Sequence, residues 1–202
     1  RAVTSEEVSA LREKYGLGSR RPIIGIISRY VDWKGLQYAL PAVRRALAAH
    51  PEGVCLLANT HGPYKTQVEL MLRDFSKGSF MEIPFEPNIE RLFKLFDVFV
   101  HVPVDPTVET FGQIYVEALA SGTPSVFTWA GVSREIVMPG KNAIVVPFEN
   151  EEEIFLALKN VLDHASVSDK LRLEAARTDL SAFEFDHVAR QHETLYFSVN
   201  AT

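Results

Sequence analysis

Two carboxylates stand eight positions apart, Glu109 and Glu117, in the segment Glu-Thr-Phe-Gly-Gln-Ile-Tyr-Val-Glu, with no other charge between them. The segment follows an apolar run and opens a helical pattern expected over Phe111–Ser121. A helix start offers amide N–H groups without intrahelical partners and a partial positive charge, which together suit a phosphate. Glu117 is the only charge among Ile114, Val116, Ala118 and Ala120. A carboxylate in such apolar surroundings needs a hydrogen-bonding partner. Thr110 and Gln113 stand at the spacing of a capping box, with Thr110 as the N-cap. Phe111 and Gly112 then fill the first turn, and Gly112 carries no side chain to hold a ligand off the backbone. Such a site would hold a phosphate and a polyol at once, as a nucleotide sugar requires. Glu117 would accept from both ribose hydroxyls, as the acidic residue of dinucleotide folds does. Glu109 would accept from hydroxyls of a sugar at the helix mouth. Taken alone, Glu109 reads as a first-turn acid complementing the helix dipole; the pair together points to function.

A second cluster follows the first apolar run. Arg29 stands at the end of that run, and Lys34-Gly35 comes five residues later. Arginine presents a planar fork of donors and lysine a compact charge, and both suit phosphate. Facing a helix start, they would clamp a diphosphate and stabilise it as negative charge builds on departure. On their own they would be solvated loop cations, the usual state of surface Arg and Lys.

These groups need elements to position them. Pro22–Ser28, Val54–Thr60, Ser79–Pro84, Asp97–Val102, Pro124–Thr128 and Asn142–Pro147 read as strands. Helical patterns lie between them: from Gly35 to about His50, Tyr64–Phe75, Ile89–Phe96, Phe111–Ser121 and a short one near Ser133–Met138. Helices fill most of the chain from Glu151 on. Strands alternating with helices give βαβ units and an α/β, doubly wound, Rossmann-like domain. It has a six-stranded, mostly parallel sheet covered by helices on both faces, so its strands are unbroken apolar runs. Ligands bind beyond the C-terminal ends of such strands. The important loops therefore follow Ser28, Thr60, Pro84, Val102 and Thr128. Residues 1–20 read as the remnant of an interdomain connection, 21–180 as the nucleotide-sugar-binding domain and 181–202 as a C-terminal helix.

The 202 residues are 47% hydrophobic, enough for a sizeable core. A formal charge of −5 argues against a nucleic-acid partner, which would call for a basic face. The lone Cys55 lies in an apolar run, which excludes an internal disulfide and suits a reducing, cytoplasmic setting. No run of apolar residues is long enough for a membrane span. The chain begins at Arg1 without a signal-peptide pattern, and is expected to be a piece of a longer protein.

In order and spacing, these residues resemble the C-terminal, donor-binding lobe of a retaining glycosyltransferase of family 4, with the two-lobed GT-B architecture. The resemblance is carried by Arg29, Lys34-Gly35, Glu109-Thr-Phe-Gly112, Glu117-Ala-Leu-Ala-Ser-Gly-Thr-Pro124 and Gly131 through Gly140, and runs from about Pro22 to about Asn160. It implies transfer of a hexose from a nucleoside diphosphate sugar, with retention and without a metal or other cofactor. It implies that Arg29 and Lys34 bind the diphosphate, Glu109 the sugar and Glu117 the ribose. Backbone amides of Phe111, Gly112, Gln113 and Ile114 would reach sugar or phosphate. The base would lie in the loop after the third strand, Pro84–Pro87, which contains Phe85. The acceptor lobe is expected to be missing from this chain, which would then be inactive alone. Peripheral membrane association of the full-length protein stays open. The chain departs from the family at Pro103-Val-Asp-Pro-Thr and at Trp129-Ala130-Gly131, where a second glycine is often found. Trp129 is expected to pack on the sheet edge.

Other chemistry-bearing residues read as structural. His61 and His101 lack a partner at metal-ligand spacing. Asp105 is not part of an Asp-x-Asp pair, Ser28 lacks a nucleophile-elbow context, and Asp97 precedes its strand instead of ending it. Two alternatives remain: a non-catalytic nucleotide-sugar-binding module serving a partner chain, and a same-fold sugar-nucleotide epimerase.

Overall fold

A computed structural model describes residues 3–199. Arg1 and the last three residues of the expected C-terminal helix lie outside the described residues. Six strands form one sheet: β1 (Ile23–Ile27), β2 (Val54–Ala58), β3 (Phe80–Ile83), β4 (Val98–His101), β5 (Ser125–Phe127) and β6 (Ile144–Val145). Their order is β3-β2-β1-β4-β5-β6, and every ladder is parallel. The chain winds outward from β1 through β2 to β3, then returns to the other side of β1 with β4. The sheet therefore reverses its winding between β1 and β4, and a crevice opens there beyond the strand ends.

The apolar runs are unbroken because each strand supplies two cores. Ile24 and Ile26 of β1 and Cys55 and Leu57 of β2 face one layer, built on α2 (Leu36–Ala48), α3 (Lys65–Leu72) and α7 (Glu151–Asp163). Ile23, Ile27, Leu56, Phe99 and Phe127 face the other. That second layer contains α1 (Ser5–Lys14), α4 (Ile89–Leu95), α5 (Gln113–Ala120) and α6 (Ser133–Ile136). The remaining helices are α8 (Ala165–Ala176) and α9 (Phe185–Val199). Burial of both faces is what removes the polar alternation expected of a half-exposed strand. At the opposite edge from the crevice, Asp97 accepts the Ile23 amide at 2.7 Å and pairs with Arg21 at 2.7 Å. Among the described residues no helix is long and apolar enough to cross a membrane.

One expected element moves. The helix that carries Glu117 begins at Gln113, not Phe111, and its N-cap is Gly112, not Thr110. Gly112 adopts φ 78°, a left-handed conformation that glycine enters without steric penalty. A side chain there would also come within 2.8 Å of the Tyr115 ring. Thr110 and Phe111 therefore belong to the loop, and no side chain caps the helix. Gln113 does not close a capping box; its amide donates forward to Glu117 Oε1 at 3.0 Å.

Candidate functional site

The loop after β1 ends in a short 3-10 turn, Asp32–Lys34, closed by Gly35 at φ 75°. A Cβ at Gly35 would lie 1.9 Å from the carbonyl oxygen of Val102, the residue that follows β4. Only glycine lets the two loops approach this closely. A backbone bond from the Val104 amide to the Trp33 carbonyl at 3.0 Å holds them together. Lys34, from the first loop, reaches the second and forms a hydrogen-bonded ion pair with Glu109 Oε1. Both side chains are largely shielded, at 16% and 11% exposure. Lys34 is thus no solvated loop cation. Arg29, on the same loop, is exposed, and its guanidinium has no ion pair among the described residues. The structure brings Lys34 and Glu109 into contact and leaves Arg29 outside that pair.

The turn after β5 closes a third side. The Val132 amide donates to the Phe111 carbonyl at 2.8 Å, which seats the Glu109–Gly112 loop against Gly131. The first amides of α5 begin immediately beyond it, and such amides have no partner within their helix. Phe111 is 45% exposed and its ring lies 5.7 Å from that of Phe183. Trp129, expected on the sheet edge, is 42% exposed. It sits in the turn between β5 and α6.

His101 is the residue that spacing did not reveal. It ends β4, is 3% exposed, and stacks between Phe99 at 6.3 Å and the edge of Tyr115 at 4.9 Å. Its Nε2 lies 3.2 Å from Glu109 Oε1, the same oxygen that Lys34 holds. The N–H direction is poor, so Nε2 is a buried nitrogen without a hydrogen-bond partner among the described residues. Burial pushes the imidazole pKa down, Glu109 pulls it up, and Lys34 pushes it further down. Burial also pushes the Glu109 carboxyl up, but His101 and Lys34 outweigh it and leave the group at about 2. The ionised Glu109 carboxylate is balanced by Lys34 on one side and faces His101 on the other. A signal for His101 was present in the sequence: a polar residue closing an otherwise apolar strand at the ligand edge. Seen without the fold that turns Glu109 back onto it, it reads as structural.

Glu117 lies one helical turn past Gln113, half buried, and shares neither hydrogen bond nor ion pair with Lys34 or Glu109. Burial raises its pKa, Gln113 lowers it, and Glu90 raises it further. It opens on a cleft of about 420 Å³ between α4 and α5, lined also by Ile89, Glu90, Phe93 and Lys94. Lys94 does not neutralise it; the ammonium donates to the Ser121 carbonyl at 2.6 Å.

The loop between β3 and α4 leads into this same cleft. Phe85 there is 69% exposed. Its neighbour Glu86, which sequence reasoning passed over, is 1% exposed. Glu86 accepts from Lys14 at 2.6 Å, from the Tyr15 hydroxyl at 2.5 Å, and from the Asn88 amide at 3.1 Å. Burial pushes the carboxyl up, these donors overcome it, and the group is held down at about 2. Glu86 therefore ties the end of α1 to the loop that presents Phe85. The residues set aside from sequence take local roles: the Ser28 hydroxyl donates to the Arg29 carbonyl at 2.9 Å, and Asp105 accepts from Thr107.

A parallel sheet with an ion-paired crevice at its winding reversal, and a glycine-started helix opening into it, defines an α/β, Rossmann-like domain with a candidate ligand site at its strand ends. Comparison with known proteins gives the family. Residues 7–178 match Glycosyl transferases group 1, and the chain belongs to that family. It is 32% identical over 168 residues to the GDP-mannose-dependent alpha-(1-6)-phosphatidylinositol monomannoside mannosyltransferase of Mycolicibacterium smegmatis, covering 75% of this chain and 41% of that protein. It superposes on the structure of Anabaena Alr3699/HepE in complex with UDP-glucose with TM-score 0.81 at 20% identity, covering 99% of this chain and 54% of the other. It also superposes on the C-terminal domain of the glycosyl transferase group 1 family protein LpcC from Francisella tularensis, with TM-score 0.71 at 21% identity, covering 78% of this chain and 84% of that domain. The chain spans about half the length of the curated relatives it matches. It is a glycosyltransferase lobe of GT-B type.

Proposed function

We propose that this chain is the donor-binding half of a retaining, family 4 glycosyltransferase that moves a hexose from a nucleoside diphosphate sugar to an acceptor. The observation that carries the reading is the Lys34–Glu109 ion pair at the mouth of α5. It places a cation for phosphate beside a carboxylate for hydroxyls, where helix amides already favour an anion. Lys34 and the exposed Arg29 hold the diphosphate and stabilise the negative charge that grows on it as the glycosidic bond breaks. Glu109 accepts hydrogen bonds from sugar hydroxyls and fixes the hexose. The amides of Phe111, Gly112, Gln113 and Ile114 reach sugar or phosphate. Glu117 accepts from the ribose hydroxyls, and the α4–α5 cleft takes the nucleoside with Phe85 beside its base. Diphosphate departure and acceptor attack then proceed on one face of the sugar, with no metal needed in this reading. The acceptor groups belong to the other lobe of the full-length protein, so this half alone is inactive.

The curated relative uses GDP-mannose by name, and the structural neighbour holds UDP-glucose. Both are nucleoside diphosphate hexoses, which supports the donor class and leaves the base open. A thermal-shift panel of UDP-glucose, GDP-mannose and ADP-glucose tests the reading, because a ligand that binds only the folded state raises its melting temperature. One donor is expected to raise Tm in a concentration-dependent way. No shift with any of the three would overturn the assignment.

A further inference from the structure

We infer that His101 is a positioning residue for the donor sugar, acting through Glu109; the inference rests on the donor-site reading above. Lys34 Nζ and His101 Nε2 both address a single oxygen, Glu109 Oε1. Lys34 occupies it. The His101 nitrogen waits 3.2 Å away without a hydrogen bond, nine-tenths and more enclosed by protein. A buried polar nitrogen without a partner is unfavourable, and structures seldom leave one without a use.

Donor binding supplies the use. A diphosphate at the helix mouth competes with Glu109 for the Lys34 ammonium, since Lys34 hangs on a flexible stem and carries a compact charge. As Lys34 turns to phosphate, Oε1 loses its partner and Glu109 would be left free to rotate. The His101 ring is locked between Phe99 and Tyr115 and cannot follow Lys34. Glu109, released from Lys34, turns to bring Oε1 into line with the N–H of the fixed ring, and that bond holds the other carboxylate oxygen toward the sugar. His101 touches neither sugar nor phosphate in this arrangement. Its effect is confined to the part of the ligand that Glu109 reads.

The test uses three variants and two ligands for each. His101→Phe keeps the aromatic packing and removes the N–H. His101→Gln places an amide N–H where Nε2 was, and His101→Asn places it one bond short. Each is titrated calorimetrically with the best donor of the panel above and with the same nucleoside diphosphate lacking the sugar. His101→Phe and His101→Asn are expected to lose about tenfold in affinity for the sugar nucleotide, the size of one hydrogen bond to a charged group. Affinity for the sugar-free diphosphate should stay within about twofold, and His101→Gln should restore most of the sugar-dependent part. A merely structural role would move both ligands together, and that result overturns the inference. So does wild-type affinity of His101→Phe for both. Should His101→Phe not fold, the contrast between Gln and Asn decides the matter by the same criterion. If wild type binds the donor and the variants show no sugar-specific loss, only this inference falls. If wild type binds no donor of the panel, the functional reading falls with it.

Discussion

Lys34 and Glu109 are 75 residues apart in the chain and share a hydrogen-bonded ion pair across the point where the sheet reverses its winding. Each comes from a loop that leaves a neighbouring strand, β1 and β4, and the Gly35–Val102 approach sets the distance between those loops. The pair sets a cation and a carboxylate side by side at the mouth of α5. Neither charge is left bare.

Because each partner shields the other, removing the cation should harm the fold as well as the site. Lys34→Met leaves the Glu109 carboxylate enclosed without its counter-ion. Breaking one side of such a pair costs about 3 kcal/mol at the low end of the usual range. For a domain of this size that is a fall in Tm of about 6–12 °C. Arg29→Met, at an exposed position, should leave Tm within about 2 °C, since surface changes rarely exceed about 0.5 kcal/mol. Both variants should bind diphosphate more weakly than wild type. Differential scanning fluorimetry beside calorimetry separates the two effects. An unchanged Tm for Lys34→Met would mean that the ion pair is incidental.

Glu117 is expected to discriminate ribose from deoxyribose. Glu117→Ala should weaken the preferred nucleoside diphosphate about tenfold, the loss of a charge-assisted hydrogen bond. Wild type should prefer that ligand to its 2′-deoxy form, and Glu117→Ala should show no preference. Retained discrimination in the variant would move the ribose contact to another residue.

Gly35 is the spacer between the loops after β1 and β4. Gly35→Ala forces a methyl group toward the Val102 carbonyl in a left-handed backbone conformation. The loops must part. The expected outcome is destabilisation of about 2 kcal/mol or more, together with weaker donor binding, because Lys34 moves with the loop. Denaturant titration and calorimetry check the two parts. Full donor affinity in a destabilised variant would show that the spacing matters for folding only.

Acid stability should report on Glu86. Its folded pKa is depressed from 4.5 to about 2, so ionised Glu86 stabilises the fold fully above its unfolded pKa. That contribution is lost as pH falls through the window from 4.5 to about 2. Glu109 acts with the same sign in the same window. Glu86→Gln should lower Tm at neutral pH and make the decline of Tm below pH 4.5 shallower than in wild type. Parallel declines would assign the acid sensitivity elsewhere.

The order of strands and helices was legible from sequence because burial on both faces leaves a local mark. Runs such as Ile23–Ile27 and Val54–Ala58 are apolar throughout, and the breakers between them are glycine, proline and charge. Strand ends receded by one or two residues, since the last pairing bonds depend on neighbours far away in the chain. The expected helix start at Thr110 was wrong for a related reason. Threonine carries a capping preference, but packing against Tyr115 demanded glycine at the cap.

The sequence by itself determined that Glu109, Glu117, Lys34 and Arg29 stand near the ligand edge of a parallel sheet, because the position of each relative to its own strand is a local property. Tertiary structure alone decided who meets whom. Lys34 found Glu109 while Arg29 stayed outside, His101 came to lie under the same carboxylate oxygen, and Glu86 became the anchor of α1. The Lys34–Glu109 and Lys14–Glu86 contacts join residues more than seventy positions apart. Their distances are set by sheet order and by close approaches such as Gly35 to Val102, which no local pattern of side chains encodes.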